Sequence, residues 1–216
     1  MSGIDSWSFQ TEEIAKNFDI HVREQLPWYD MATKAVAFLC RNYVPKNGTI
    51  YDIGASTGNI SKSITSLIAE RNIKFIAIEE SQEIAKKYGG LGKLIVGDAT
   101  KIEYEPFDLG IFFLSFMFID RSSRGNFLDE LMQKCKRGGA IVMLEKMETT
   151  GGNVGTIIRK MTMNNKLENG VSPDEIIKKE LSLCGVQRAV SPRELPANAV
   201  EFFRMGEFAG FIMEKA

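Results

Sequence analysis

The 216-residue sequence predicts an α/β fold: a doubly wound, mostly parallel seven-stranded sheet with an antiparallel strand in a C-terminal hairpin and an N-terminal helical segment. Three observations carry that prediction. From residue 49 onward, short β-branched runs alternate with helical patterns. The run LGIFFL at 109–114 is continuously apolar, as suits a central parallel strand covered on both faces. The closing stretch FFRMGEFAGFIME holds two strand patterns joined at a glycine-containing turn.

The elements follow in order. Over residues 11–44, Ile14, Phe18, Val22, Trp28, Met31, Ala35, Phe38 and Leu39 supply apolar spacing close to three and four, and Pro27 divides the pattern into two helices. The PKNG turn at 45–48 leads into a strand at 49–53, and a helix follows from Ile60 to Ile68. A second strand, 75–78, ends in Glu79-Glu80; a helix over 81–88 leads to glycines 89, 90 and 92, and a third strand at 94–96 ends in Gly97-Asp98. After the apolar strand come a helix at 124–135, Gly138-Gly139 opening the strand AIVMLE, and helices at 153–165 and 173–183. No internal repeat, low-complexity tract or linker interrupts this plan, so residues 1–216 read as a single domain: a helical lid over 1–44 and an α/β core over 45–216.

Composition narrows the function. Apolar residues make up 44% and charged residues 25%, with a formal charge of −1, which argues against binding to nucleic acid by charge alone. A local basic patch is not excluded, and Arg121, Arg124, Lys134, Lys136 and Arg137 are its candidates. Cys40, Cys135 and Cys184 are widely spaced, with no CxxC and one histidine in the chain, which argues against a metal site and for reduced thiols in a cytoplasmic protein. No basic leader and no membrane-length apolar run is present, so no membrane partner is expected.

The stretch TIYDIGASTGNISKSI, 49–64, carries the chemistry. Asp52, Gly54, Ser56 and Gly58 form DxGxSxG between a strand and a helix: Gly54 permits a sharp turn, and Gly58 permits close approach of a ligand or of the helix to the sheet. Alone this is equally an ordinary strand-to-helix turn. Glu79-Glu80 then fall at the end of the next strand, where a carboxylate accepts ribose hydroxyls, and Asp98 at the end of the third, where an acid can accept from an adenine amino group. Each acid alone reads as a solvated strand end. In this order they mark a nucleotide crevice.

These residues resemble the class I S-adenosylmethionine-dependent methyltransferases, a Rossmann-like family, with Asp52 to Gly58 as its first motif, Glu79 as its second and Asp98 as its third. A narrower resemblance begins at FDIHVREQLPWYD, 18–30: Phe18, Asp19, His21, Val22, Pro27 and Tyr29 match the FDxHVxxxxPxY opening of the carboxy-S-adenosylmethionine synthase branch, which serves modification of tRNA wobble uridine. YDIGASTG, IAIEES, LEK and FFRMGEFAGFIMEK are similar to its later motifs.

The resemblance implies S-adenosylmethionine or its carboxy derivative as cofactor, held by Tyr29, Asp52, Gly54, Ala55, Ser56, Gly58, Glu79, Glu80, Asp98 and Ala99. It also implies a homodimer. Phe113 stands on the cofactor wall where the branch has an Asn, and Glu180 stands where it has an Arg that grips the added carboxylate; Lys178, Lys179 and Arg188 are the cations near that position. The readings that follow are methyl transfer to a small molecule or a tRNA base, carboxy-S-adenosylmethionine synthesis from prephenate, and a cofactor-binding partner protein without turnover.

Methyl transfer needs donor and nucleophile in near-attack geometry and a base only where the nucleophile must lose a proton. Candidates for such a catalytic role are His21, Tyr29 and Glu145, read alternatively as a lid anchor, a packed ring and a solvated strand end. Phe116 to Phe118 are candidates to wall an apolar acceptor pocket.

Overall fold

The structure is a computed structural model that describes residues 12–216, with side chains described from Asp19 onward. The parts of the sequence reading that rest on the Ile14 and Phe18 side chains lie outside the described residues. Two helices open the fold, α1 (Glu12–Gln25) and α2 (Tyr29–Tyr43), divided at Pro27. The core then runs β1 (Thr49–Ile53), α3 (Asn59–Ser63), α4 (Thr65–Arg71), β2 (Lys74–Glu79), α5 (Gln82–Ala85), β3 (Lys93–Val96) and β4 (Phe107–Phe113). It closes with α6 (Arg121–Lys134), β5 (Cys135–Lys146), α7 (Gly152–Glu168), α8 (Pro173–Ser182), β6 (Val200–Met205) and β7 (Phe208–Glu214).

The strands form one seven-stranded sheet in the order β3-β2-β1-β4-β5-β7-β6. Neighbours from β3 to β5 pair in parallel, and β7 runs antiparallel to both β5 and β6. This is the doubly wound sheet with one reversed strand that the alternating pattern predicts. Every residue of β4 is buried. Leu109, Ile111 and Phe113 pack with Tyr29, Val36 and Cys40 of α2, while Phe107 and Phe112 pack with Phe127, Leu128 and Leu131 of α6 on the opposite face. Burying each such side chain stabilises the fold by about 1.5–3 kcal/mol.

Several element limits differ from the sequence reading, each for a local reason. The helix expected over 60–68 breaks at Ile64, where the Ser63 hydroxyl donates to Ile60 O at 2.7 Å and the Thr65 hydroxyl to Lys62 O at 3.0 Å, competing with helical bonding. The helix expected over 81–88 shortens to α5 because Gly89 N donates to Thr57 O and Leu91 N to Ser61 Oγ, pulling that segment back onto the glycine loop. Strand β5 begins at Cys135; Gly138-Gly139 sit inside it at a register shift opposite Phe107 and Leu109, and a Cβ on Gly139 would lie 2.5 Å from Asp108 O. In α2 the buried stripe is Tyr29, Ala32, Val36 and Cys40, so Met31 and Phe38 face outward. Among the described residues, no helix is long and apolar enough to cross a membrane.

Candidate functional site

Strand β1 carries Asp52 to the carboxyl edge of the sheet, where the chain bends. Gly54 takes φ +80°, and a Cβ there would lie 2.3 Å from the Ser115 Cβ, so only glycine fits. The amides of Gly54 and Ala55 both donate to Ile78 O, at 2.9 and 2.8 Å, which ties the bend to β2. Gly58, at φ +89°, allows the loop within contact of Gly90, where a Cβ would lie 2.7 Å from the Gly90 amide.

The acid at the tip of β2 completes the loop. Glu79 accepts the Ser56 amide at 2.9 Å through one oxygen and the Ser81 amide at 2.8 Å through the other. Burial pushes its carboxyl above the usual range, against these backbone bonds. Asp98 caps the turn after β3, accepting the Thr100 amide at 2.9 Å and hydroxyl at 2.7 Å, with Lys101 Nζ 2.9 Å from its other oxygen. Burial opposes ionisation there, and these partners outweigh it, so the carboxyl lies below its usual value.

Asp52 is different. It is buried, and neither carboxylate oxygen has a hydrogen-bond partner. Burial, then the charge of Glu79, pushes its pKa up to about 7. The buried Ser56 hydroxyl also lacks a partner. Such groups cost free energy unless something donates to them, which makes Asp52 and Ser56 the acceptors available to a donor from outside the chain.

These groups line one cavity of about 580 Å³. Asp52, Gly54, Ala55 and Ser56 form its floor; Glu79, Glu80, Asp98 and Ala99 line one end. Tyr29 and Phe113 also line it, with their rings edge-to-face at 5.2 Å between centroids. Tyr29 also lies under the Arg23 guanidinium, 5.2 Å from its ring centroid. Gly58 shapes the bend without lining the cavity.

At the other end the charge reverses. Lys146 from β5, Lys166 from α7, and Lys179 and Glu180 from α8 line the cavity beside His21 of α1. Glu180 lies between Lys166, at 2.9 Å, and Lys146, at 3.5 Å. Burial works against its ionised form, and the two lysines prevail, holding the carboxyl below its usual range. Of the cations that sequence proximity put near Glu180, Lys179 lines the cavity and Lys178 and Arg188 do not. Lys146 lies in the quoted LEK segment, whereas nothing in the local sequence around Lys166 marks it: α7 brings it in from a helix whose surface is largely exposed.

Three sequence expectations are corrected. Glu145 is neither a solvated strand end nor a group facing the crevice: it is fully buried and accepts the amides of Ser115 at 3.0 Å, Phe116 at 2.8 Å and Met117 at 3.1 Å. It anchors the turn after β4, and burial, against those bonds, pushes its pKa up to about 7. The basic run does not form one surface, because Arg124 is buried and donates to the carbonyls of Ile119, Met117 and Arg188, while Lys136 pairs with Asp108 at 2.8 Å. Phe116 is fully buried in the core, so only Met117 and Phe118 of that trio reach the cavity.

No family model matches the chain. Among solved structures, human N-acetylserotonin methyltransferase bound to S-adenosylmethionine is similar, with TM-score 0.61 and 14% identity over 96% of this chain and 57% of the human one. A Methanococcus maripaludis protein described as an S-adenosylmethionine-dependent methyltransferase is similar over 100% of this chain and 97% of its own, with TM-score 0.57 and 16% identity. The fold is therefore that of the Rossmann-like S-adenosylmethionine-dependent methyltransferases, and the bend, the strand-tip acids and the orphaned Asp52 sit where that fold opens.

Curated relatives narrow this. The carboxy-S-adenosyl-L-methionine synthase of Staphylococcus epidermidis is 30% identical over 210 residues, 95% of this chain and 89% of its own. That of Escherichia coli is 28% identical over 192 residues, 85% of this chain and 77% of its own. The chain belongs to the carboxy-S-adenosyl-L-methionine synthase family.

Proposed function

We propose that the chain is an enzyme that binds S-adenosylmethionine and transfers its sulfonium methyl group to a small molecule or a tRNA base. The observation that carries this is Asp52, a buried carboxylate with two unpartnered oxygens at the floor of a cavity, for which a cationic methionine end is the fitting donor. When bound, the cofactor supplies an electrophilic methyl on a good leaving group. The chain's part is to hold and orient. Asp52 and the Ser56 hydroxyl take the amino-acid end, Glu79 and Glu80 the ribose, and Asp98 and Ala99 the adenine, with Tyr29 and Phe113 walling the centre. Holding reactants in near-attack geometry can supply most of the acceleration.

A second reading, carboxy-S-adenosylmethionine synthesis from prephenate, is favoured by family membership and by the basic end of the cavity, where Lys146 and Lys166 outnumber Glu180. That end suits an anionic co-substrate. Calorimetric titration with S-adenosylmethionine tests the common premise; no binding at high micromolar levels overturns both readings. Mass spectrometry of the nucleotide after incubation with S-adenosylmethionine and prephenate separates them, because only the synthase produces a carboxymethyl sulfonium. Residues 1–216 are read as one domain acting as a homodimer in the cytoplasm, on the strength of the family likeness, and light scattering tests the dimer.

A further inference from the structure

The basic end of the cavity contains a contact that has no part in holding an adenosyl group. Lys179 Nζ lies 2.7 Å from His21 Nε2, and both side chains line the cavity. Two nitrogens at that distance need one donor and one acceptor, so the pair cannot carry its full complement of protons and keep this bond. On the far side of the imidazole, His21 Nδ1 lies 3.6 Å from Glu175 Oε1, which also accepts Gln25 Nε2 at 3.0 Å. A carboxylate there favours the tautomer with its proton on Nδ1, which leaves Nε2 to accept from Lys179.

The charges facing the pair come from several elements: Glu175 and Glu180 on α8, Lys166 on α7, and Lys146 at the end of β5 beyond Glu180. Burial, then Lys166, brings the Lys179 amine down to about 7, against Glu175 and Glu180. Burial, then Lys179, lowers His21, against Glu175. An ordinary lysine, near ~10.4, would hold its proton too tightly to serve as a base at neutral pH.

We propose that His21 and Lys179 act together as one proton-accepting couple in the cavity, taking the proton from an O–H or N–H of the molecule that receives the methyl. The role of that molecule rests on the methyl-transfer reading; the couple itself does not. In the basic form the uncharged Lys179 amine donates one N–H to His21 Nε2. The proton leaves the acceptor's heteroatom for the amine lone pair, and the bonding electrons stay on the heteroatom as the nucleophile. Lys179 becomes an ammonium whose bond to His21 is now charge-assisted. The proton then returns to water. The couple therefore selects acceptors with a dissociable proton, hydroxyls and protonated amines, over thioethers and pyridine-type nitrogens.

The test uses the full chain and acetic anhydride, which acylates only uncharged amines, between pH 5 and 10, with peptide mass spectrometry of Lys179 and of its exposed neighbour Lys178. The expected Lys179 midpoint is near 7; a midpoint at the ordinary lysine value of ~10.4 overturns the couple. Because His21 is the single histidine in the sequence, its ring nitrogens give one set of nitrogen-15 resonances. In the wild type these shift over the interval in which Lys179 titrates. In Lys179→Arg, which keeps a cation but has no neutral form, that shift is absent, and an unchanged shift also overturns the couple. With hydroxyl or amine acceptors, Lys179→Arg is expected to slow methyl transfer by about 100-fold or more at unchanged KM for S-adenosylmethionine; wild-type rates would remove the base role. Calorimetry with S-adenosylmethionine on the same samples keeps the two failures apart: absent binding sinks the methyl-transfer reading and leaves the labelling result standing.

Discussion

The Glu79 carboxylate accepts the Ser56 amide at 2.9 Å across 23 positions of sequence. It thereby binds the tip of β2 to the glycine bend after β1. Ser56 itself sits at φ +52°, a conformation that non-glycine residues rarely adopt, and this bond helps hold it there. The Ser56 hydroxyl and both Asp52 carboxylate oxygens, by contrast, have no hydrogen-bond partner.

Replacing Asp52 with Asn is expected to weaken S-adenosylmethionine binding by about 100-fold, the loss of roughly 3 kcal/mol of charge-assisted hydrogen bonding. Isothermal calorimetry on the two proteins checks this. Equal affinities would remove Asp52 from the site.

The pH dependence of stability has a definite sign. The folded-state pKa of Asp52, about 7, lies above its ordinary value of 3.8, so the folded chain holds a proton that the unfolded chain gives up. The stability so gained is present in full at low pH and is lost as the pH rises through about 7; Glu145, also pushed up to about 7, acts in the same direction. The unfolding free energy from urea titrations is expected to fall between pH 5 and pH 8, by up to about 3 kcal/mol for Asp52 alone, and Asp52→Asn should flatten the decline.

Cofactor affinity should run the opposite way. A cationic ligand requires ionised Asp52, so binding below pH 7 must release a proton and weakens as the pH falls, while above it the affinity levels off. Calorimetry in buffers of different ionisation enthalpy reads the released proton directly.

Gly54→Ala combines a left-handed backbone with a Cβ placed 2.3 Å from that of Ser115. The expected cost is about 2–4 kcal/mol of stability, together with loss of cofactor binding. Urea unfolding and calorimetry measure the two effects separately.

Glu145→Ala strands the amides of Ser115, Phe116 and Met117 in the interior and is expected to cost at least about 3 kcal/mol. Hydrogen exchange at those amides should accelerate well beyond exchange in β1. Glu145→Gln, which keeps one acceptor oxygen, should fall between the variant and the wild type.

Sequence alone determined the sheet, the bend and the strand-tip acids, because these rest on local rules: period-two runs, glycine where φ must be positive, and acids at strand ends. Asp52, Gly54, Glu79 and Asp98 fall within a few residues of such signals. Tertiary structure decided what depends on burial and on distant partners. Asp52 is orphaned while Glu79 is satisfied, Glu145 bonds to amides some 30 positions away, and Arg124 is enclosed by carbonyls. The basic end of the cavity belongs to the same class, since Lys146, Lys166, Lys179 and His21 lie on four separate elements. A charge on a helix reads the same in sequence whether it faces water or a cavity; the difference lies in which surfaces the packing of that helix removes from solvent.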